Sequence, residues 1–560
     1  MRQHEAGYYL GLAQRIVWSS VWFSALVYFV ELERYWDHGY LTGLVGPVGV
    51  LVAVVAMALP WCVQGNPPTW FTHASAAALA AATFFGGWMH ITALKLSPSD
   101  ASAFNDYAVK LWVNGIDPYG ASMSPANATL GNPAAMWTYT LSGGHVSNFS
   151  YPGGLIVFEA PLRLLGVTHF TGSWFNLGAW IVACLAAYVM LPRPLKAFAL
   201  LAMALAGTTA IGGTSTDAAW MPFLLVGVFQ WDRFGDRSRP WYWRYAGPVA
   251  LGLACSFKLT PCFVVPFLLI GVFIETRQDA PRPYDAVLKY LAALVGSFLV
   301  VNLPFIVVDP AAWLRGAILP VNSPLVPGGG GLVTFALHGD VPGVRTFPLS
   351  LAGLVALVVA AVAYALWYDR LKSVAVFLVP VIFYVPVRSE ANYLESFLLV
   401  GIVAGATIQP STRRIGAVLT RRARAGLVAV PGAAAVVLVA YSFFVPVLTS
   451  SVVGISTQGR LWTGLTLRIT NHSGRDVASH VQVLLTINRI PGFWVSPTGT
   501  TVDVPAHQTL QVRLTPPTAM AVPGPRQVWV AEVMTDSPSF VGVTAPVYGS
   551  RTTTLTSSSS

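Results

Sequence analysis

What this sequence has least of is charge. Asp, Glu, Lys and Arg make up 10% of its 560 residues, where a soluble domain carries about a quarter. With 54% hydrophobic residues and a mean hydropathy of +0.60, too few polar groups remain to cover a water-facing surface. A soluble globular enzyme is excluded and a polytopic membrane protein expected. Cysteine is scarce too. Cys62, Cys184, Cys255 and Cys262 lie in or beside apolar segments without metal-ligand spacing, which argues against a disulfide framework and against zinc. Basic residues outnumber acidic ones, 33 to 23, yet they fall in short loops between apolar runs. There they report membrane orientation, and no soluble module offers the basic face that nucleic acid needs. A small-residue cleavage site is missing after the first apolar run, which follows Arg2 and Arg15, so that run is expected to remain as an anchor.

Long apolar runs are abundant. A helix that crosses a bilayer needs about 20 mostly apolar residues. Candidates occur at 16–30, 40–60, 75–95, 170–191, 197–212, 214–231, 246–257, 259–275, 285–308, 347–367, 371–388, 391–409 and 426–448, and since some are short, about 11–13 transmembrane helices are expected. Residues 155–167 are apolar but too short to cross, and with Glu159 and Arg163 they suggest an interfacial or re-entrant helix. A cytoplasmic N-terminus puts the basic loops 192–196, 232–245, 276–283, 369–372 and 411–424 inside. The loops 31–39, 97–154 and 309–346, and everything after Leu448, then fall outside, as the positive-inside rule asks. This needs 246–273 to cross twice, with a break near Lys258 and Pro261. Beyond Leu448 the pattern changes to apolar-polar alternation at 461–470, 480–486, 509–515, 526–535 and 541–547, the signature of a small β-sandwich. The expected architecture is mainly α: a polytopic membrane helical bundle over 1–448 with a first large outside loop at 97–153. An extracytoplasmic β-sandwich over 449–551 and a disordered Ser-rich tail over 552–560 follow. The chain is expected in the cell inner or plasma membrane.

The stretch 97–119 holds two of the few carboxylates. Ser97 as N-cap, Pro98 at the first helical position and Gly115 as the stop predict a helix of about 17 residues. At helical spacing Asp100 shares a face with Phe104, Tyr107, Ala108, Leu111 and Trp112, whereas Asp106 lies opposite. Lys110, four residues on, makes Asp106 a candidate for a surface ion pair. Asp100 fits a capping box with Ser97, but a carboxylate on the buried side of an interfacial helix is costly unless paired or used.

Ser99-Asp100, Phe104, Gly115, Asp117-Pro118-Tyr119 and Tyr151-Pro152, in that order, resemble the first outside loop of the GT-C glycosyltransferases that use polyprenyl-phosphate sugars. The bacterial mannosyl- and arabinosyltransferase-like families are the nearest in pattern. The resemblance covers roughly residues 75–410. It implies that the first-loop acidic residue, Asp100 by spacing, is the catalytic base, with Asp106 as the alternative. It also implies that Tyr107, Tyr119, Tyr151, Asn392 and Tyr393 face substrate. Two departures stand out: two spans precede the helix that would normally be first, and Asn105-Asp106 replaces the usual residues.

Such chemistry needs one base for the acceptor hydroxyl and cations for the departing phosphate. Lys258 sits between apolar halves and resembles the family's Lys-x-x-Pro; snorkelling, or pairing with Asp217, is the structural alternative. Asp217 itself reads as a helix-start carboxylate. Arg388, at an outside turn with Glu390, Asn392 and Tyr393, has the donor fork suited to phosphate. Arg315 and His338 in the loop 309–346 complete the candidate cations. Gly328 to Gly331 read as a mobile, gating loop. Trp462, Trp494 and Trp529 are candidates for a glycan platform or for core, and Asn127, Asn148 and Asn471 head glycosylation sequons. The expectation is a metal-independent, cofactor-free inverting transferase. It would move mannose or an arabinofuranose-class sugar from a polyprenyl-phosphate donor to a cell-envelope glycan or glycolipid acceptor. A flippase of lipid-linked glycans and a non-catalytic envelope assembly protein are the alternatives.

Overall fold

The computed structural model describes residues 13–549, apart from 28–39, 63–66, 94–98, 133, 206–215, 278–281, 319–323, 340, 412, 414–419, 486–487 and 525. Of the expected anchor run 16–30, residues 16–27 are helical; residues 28–30, Ser97 with Pro98, and the Ser-rich tail lie outside the described residues. The chain is mainly helical up to Phe444 and mainly β after it.

Among the described residues, five of the expected spans form helices long and apolar enough to cross a membrane: Thr69–Ala93, Thr171–Met190, Tyr284–Val308, Thr346–Leu366 and Arg421–Phe444. The expected runs 16–30 and 197–212 extend into residues outside the described ones. Tyr40–Cys62 is a further apolar helix of 23 residues, and other apolar runs give shorter pieces, such as Met221–Val228, Thr260–Thr276 and Ala391–Thr407. The expected break near Lys258 and Pro261 is present. Trp241–Phe257 ends there in extended backbone (φ −156°, ψ 150°), and Pro261 opens a 3₁₀ turn, Thr260–Val264. Proline lacks the N–H that would continue the ladder and restrains the residue before it, so one apolar run becomes two half-helices. The five long helices leave their outer faces apolar and uncovered. Only 11% of the Arg421–Phe444 window is buried in the protein, with Val430 and Val436 pointing outward. Such faces are compatible with a membrane protein, whose outer surface meets hydrocarbon.

After Phe444 two antiparallel sheets share one core. Leu448–Gln458, Leu461–Asn471 and Thr509–Leu514 form the first. Val477–Leu485, Val528–Asp536 and Ser539–Val543 carry the second, with short strands at its edges. Five strands fall where alternation predicts them; Leu448–Gln458 does not, because its half-buried residues blur the period of two. Trp462, Trp494 and Trp529 are fully buried, with ring centroids 5.1 and 4.8 Å apart across Trp462. They are core, which removes the glycan platform.

The β region is tied to the helical part. Gly343–Arg345, from the long loop before the Thr346–Leu366 helix, adds an edge strand to Ser539–Val543. Tyr139 and Leu141 of the first loop, Val326 and Val333 of the later loop, and Leu484, Phe493 and Met534 of the β region form one apolar cluster. Glu532, wholly buried, is held by Arg489 through two bonds of 2.7 and 2.8 Å, and Arg489 also donates to the Pro327 carbonyl at 2.6 Å. Removing one member of a buried pair strands the other charge. Arg489→Met is therefore expected to lower stability by about 3–5 kcal/mol, while the Arg489→Met/Glu532→Leu pair recovers much of it. Thermal melts of the full chain check this; equal losses in the single and double variants would contradict it.

Candidate functional site

The first-loop helix runs from Asp100 to Val113 and is capped by Ser99, whose hydroxyl accepts from the Ser102 N–H at 3.2 Å. The cap thus sits two residues later than the sequence suggests. The helix stops at Asn114 and Gly115, which takes φ +76°. In the turn that follows, the Asp117 carboxylate accepts from the N–H groups of Tyr119 and Gly120, both at 3.0 Å. The Tyr119 hydroxyl then donates to the Tyr151 carbonyl at 2.7 Å, and its ring meets Phe149 and Phe305 edge to face. The Gly-x-Asp-Pro-Tyr motif is thus a brace that sets Tyr151.

Around Tyr151 the structure gathers most of the expected site. Lys258 Nζ lies 2.8 Å from Asp217 Oδ1, 4.5 Å from the Tyr393 ring centroid and 5.8 Å from that of Tyr151. The Asn392 amide donates to the other Asp217 oxygen, and the Trp220 indole to the first. Arg388 is within electrostatic reach of Tyr393, Glu390, Asp100 and Tyr151, and Tyr151 within reach of Lys258, Tyr393, Asp100 and Asp217. Burial raises the Tyr151 phenol well above its usual range, against the pull of the Lys258 ammonium. Gly154 permits this assembly, since a Cβ there would meet the Ser256 carbonyl oxygen at 2.5 Å. The pairing with Asp217, one of the two alternatives for Lys258, is what the structure holds. Asp217 caps no helix; the next one begins at Met221.

Asp100 is half-buried at the edge of this group. Oδ1 accepts from the Ala101 N–H at 2.8 Å and Oδ2 from the Thr138 N–H at 2.7 Å. A carboxylate has about four acceptor positions, so these two bonds fix its orientation and leave lone pairs for another partner. Thr138 adjoins Tyr139 in the cluster beneath the β region.

Asp106 is buried, not a surface ion-pair partner. Its Oδ1 accepts from the Gly172 N–H at 2.8 Å at the start of Thr171–Met190, while Lys110 is exposed, 5.9 Å from the Tyr107 centroid. The face assignment fails because Gly154–Leu164 and Thr171–Met190 cover the side of the helix that should meet water. Glu159 joins Asp106 there, wholly buried and held by the Asn105 amide at 2.5 Å. Glu159 and Asn105 were not singled out from sequence as one site; the only signal was an acidic residue inside a short apolar run.

Arg388–Ser389 pairs in parallel with Gly328–Gly329, so part of the glycine run is pinned, not a free gate. Gly329 takes φ +93°, and a Cβ there would collide with the Ser389 carbonyl oxygen. Arg388 itself meets Glu390 at 3.5 Å. Arg315 and His338 are exposed. The His338 ring lies 3.0 Å from the Thr334 carbonyl, and neither residue has a recorded contact with the Lys258 cluster among the described residues. Tyr107 is half-buried on the first-loop helix. Of the sequons, Asn127 and Asn471 are buried in hydrogen bonds and Asn148 is exposed. Among the described residues no three His, Cys, Asp or Glu converge as metal ligands. No family model and no curated protein matches the chain.

Burial, opposed by the Gly172 N–H, raises Asp106 to about 6 from 3.8. Between those values the native state holds a proton that the unfolded chain has released. The stability contributed is present below about pH 4 and is lost as pH rises through about 6, by roughly 3 kcal/mol in all. Asp106→Asn keeps an acceptor for Gly172 and is expected to flatten this slope and to match or exceed wild-type stability at pH 7. Melting temperatures across that window test it, and an unchanged slope would remove Asp106 from the account.

Proposed function

We propose that the chain is a membrane glycosyltransferase of GT-C type that transfers a sugar from a polyprenyl-phosphate donor to a glycan or glycolipid acceptor, with inversion. The observation that carries this reading is the convergence of one half-buried carboxylate, Asp100, with two cations, Lys258 and Arg388, and two tyrosines beneath loops roofed by the β region. Asp100 takes the proton of the acceptor hydroxyl as that oxygen attacks the anomeric carbon. The bond from that carbon to the phosphate oxygen breaks, and the bonding pair leaves with the lipid phosphate. Arg388, partly exposed beside the cluster, meets the departing charge through its fork of donors. Lys258, held by Asp217, supplies a second positive charge, with Tyr151 and Tyr393 against it for the sugar or the lipid phosphate. Asp100 is preferred over Asp106 as the base because Asp106 is enclosed between helices and bonded to Gly172.

Asp100→Asn retains an acceptor for Thr138. It is expected to abolish transfer from a radiolabelled polyprenyl-phosphate sugar, by the 10²–10⁴-fold or so typical of a lost general base, while donor binding and melting temperature stay near wild type. Full transfer by that variant would sink the assignment. Arg388→Gln should weaken donor binding about tenfold with a smaller effect on acceptor affinity, measured by titration with each.

One observation favours a second reading. The broken helix at Lys258, with a polar cluster beside it, is the type of feature that transporters place near the bilayer midplane. Flux of labelled lipid carrier across proteoliposomes without glycosyl transfer would select a flippase instead.

A further inference from the structure

At the end of the helical part remote from the β region lies a cavity of about 550 Å³. Val189 and Met190, in its wall, end the helix that begins at Thr171 beside Asp106. At 1.5 Å per residue the cavity is about 27 Å along that helix from the candidate site. It plays no part in the proposed transfer, and its size is within the range of about 300–1,000 Å³ usual for small-molecule sites.

Its lining has two characters. Met190, Val226, Phe229 and Pro248 make an apolar wall, whereas Arg233, Arg239 and Arg244 bring positive charge; Arg239 is already engaged by Gln230 Oε1 at 2.5 Å and by Asp236 at 4.0 Å, which leaves Arg233 and Arg244 for a ligand. Trp231 and Tyr290 close the wall, 4% and 0% exposed. Arg244 spends its Nε on the Phe234 carbonyl, which orients the guanidinium. Beside the cavity, Trp241, Tyr242 and Trp243 are each more than half exposed. Aromatic belts of this kind sit at the headgroup level of a bilayer.

We infer that this cavity holds the phosphate-bearing head and upper chain of an anionic membrane phospholipid. The arginines take the phosphate oxygens by charge-assisted bonds, and the acyl chains continue along outward apolar side chains such as Val189. Lipid, not free phosphate, is favoured because most of the lining is apolar and because Trp243 of the lining adjoins the exposed Trp241 and Tyr242.

The test uses the full chain, purified in neutral detergent and offered phosphatidylglycerol, phosphatidylcholine or inorganic phosphate in separate arms, with bound lipid read by native mass spectrometry and stability by thermal melting. Phosphatidylglycerol is expected to be retained and to raise the melting temperature, while the other two arms do neither. Arg233→Gln/Arg244→Gln should weaken retention about tenfold or more. Gly247→Leu tests the cavity separately from its charges: a Cβ there meets the Gly227 and Val226 carbonyls at 3.5 and 3.9 Å, ordinary contacts, and the longer side chain is expected to fill the space. Equal retention of both lipids, a response to inorganic phosphate alone, or retention undiminished in whichever variants fold, would overturn the inference.

Discussion

The ion pair between Lys258 and Asp217 organises the helical part of the chain. An ammonium between apolar half-helices is tolerated only if its charge is met, and at 2.8 Å the carboxylate of Asp217 meets it. Asp217 in turn collects the Asn392 amide and the Trp220 indole, so three distant parts of the sequence are bound at one point. Helix interruption at Lys258 is the counterpart of that pair. It frees the backbone to bring the lysine beside Tyr151 and Tyr393, and the absent side chain of Gly154 lets the short Gly154–Leu164 helix approach the break.

The β region is a roof more than an appendage. It shares an edge strand with Gly343–Arg345, an apolar cluster with both long loops, and the Arg489–Glu532 pair with the Pro327 carbonyl. Asp100 is oriented from that side, through Thr138, while Arg388 is oriented through the pinned glycine strand. The candidate site is thus held between a polar anchor inside the helical part and a folded cover. Either half alone would leave its carboxylate or its arginine without a fixed direction.

Much of this was legible residue by residue. Apolar runs mark the five long helices, alternation marks five of the longer strands, and Lys258, Arg388, Tyr151, Asn392 and Tyr393 stand out as polar groups beside apolar runs. Other readings failed for definite reasons. Helical periodicity turned Asp106 toward water because it assumed one covered face, and the helix has more than one. The tetraglycine read as mobile because glycine permits motion; here it permits backbone approach.

Composition, run length and alternation are local properties, and they determined which helices are apolar enough to cross a membrane, where the β region begins within a few residues, and which polar residues stand conspicuous among apolar ones. Partnership is not local. That Asp217 meets Lys258 across 41 residues and Asn392 across 175, that Asp106 is enclosed beside Glu159, and that the β region recruits a strand from a loop some two hundred residues earlier were decided by tertiary packing. A buried charge selects its partner by proximity in three dimensions, and a single sequence carries no measure of that distance.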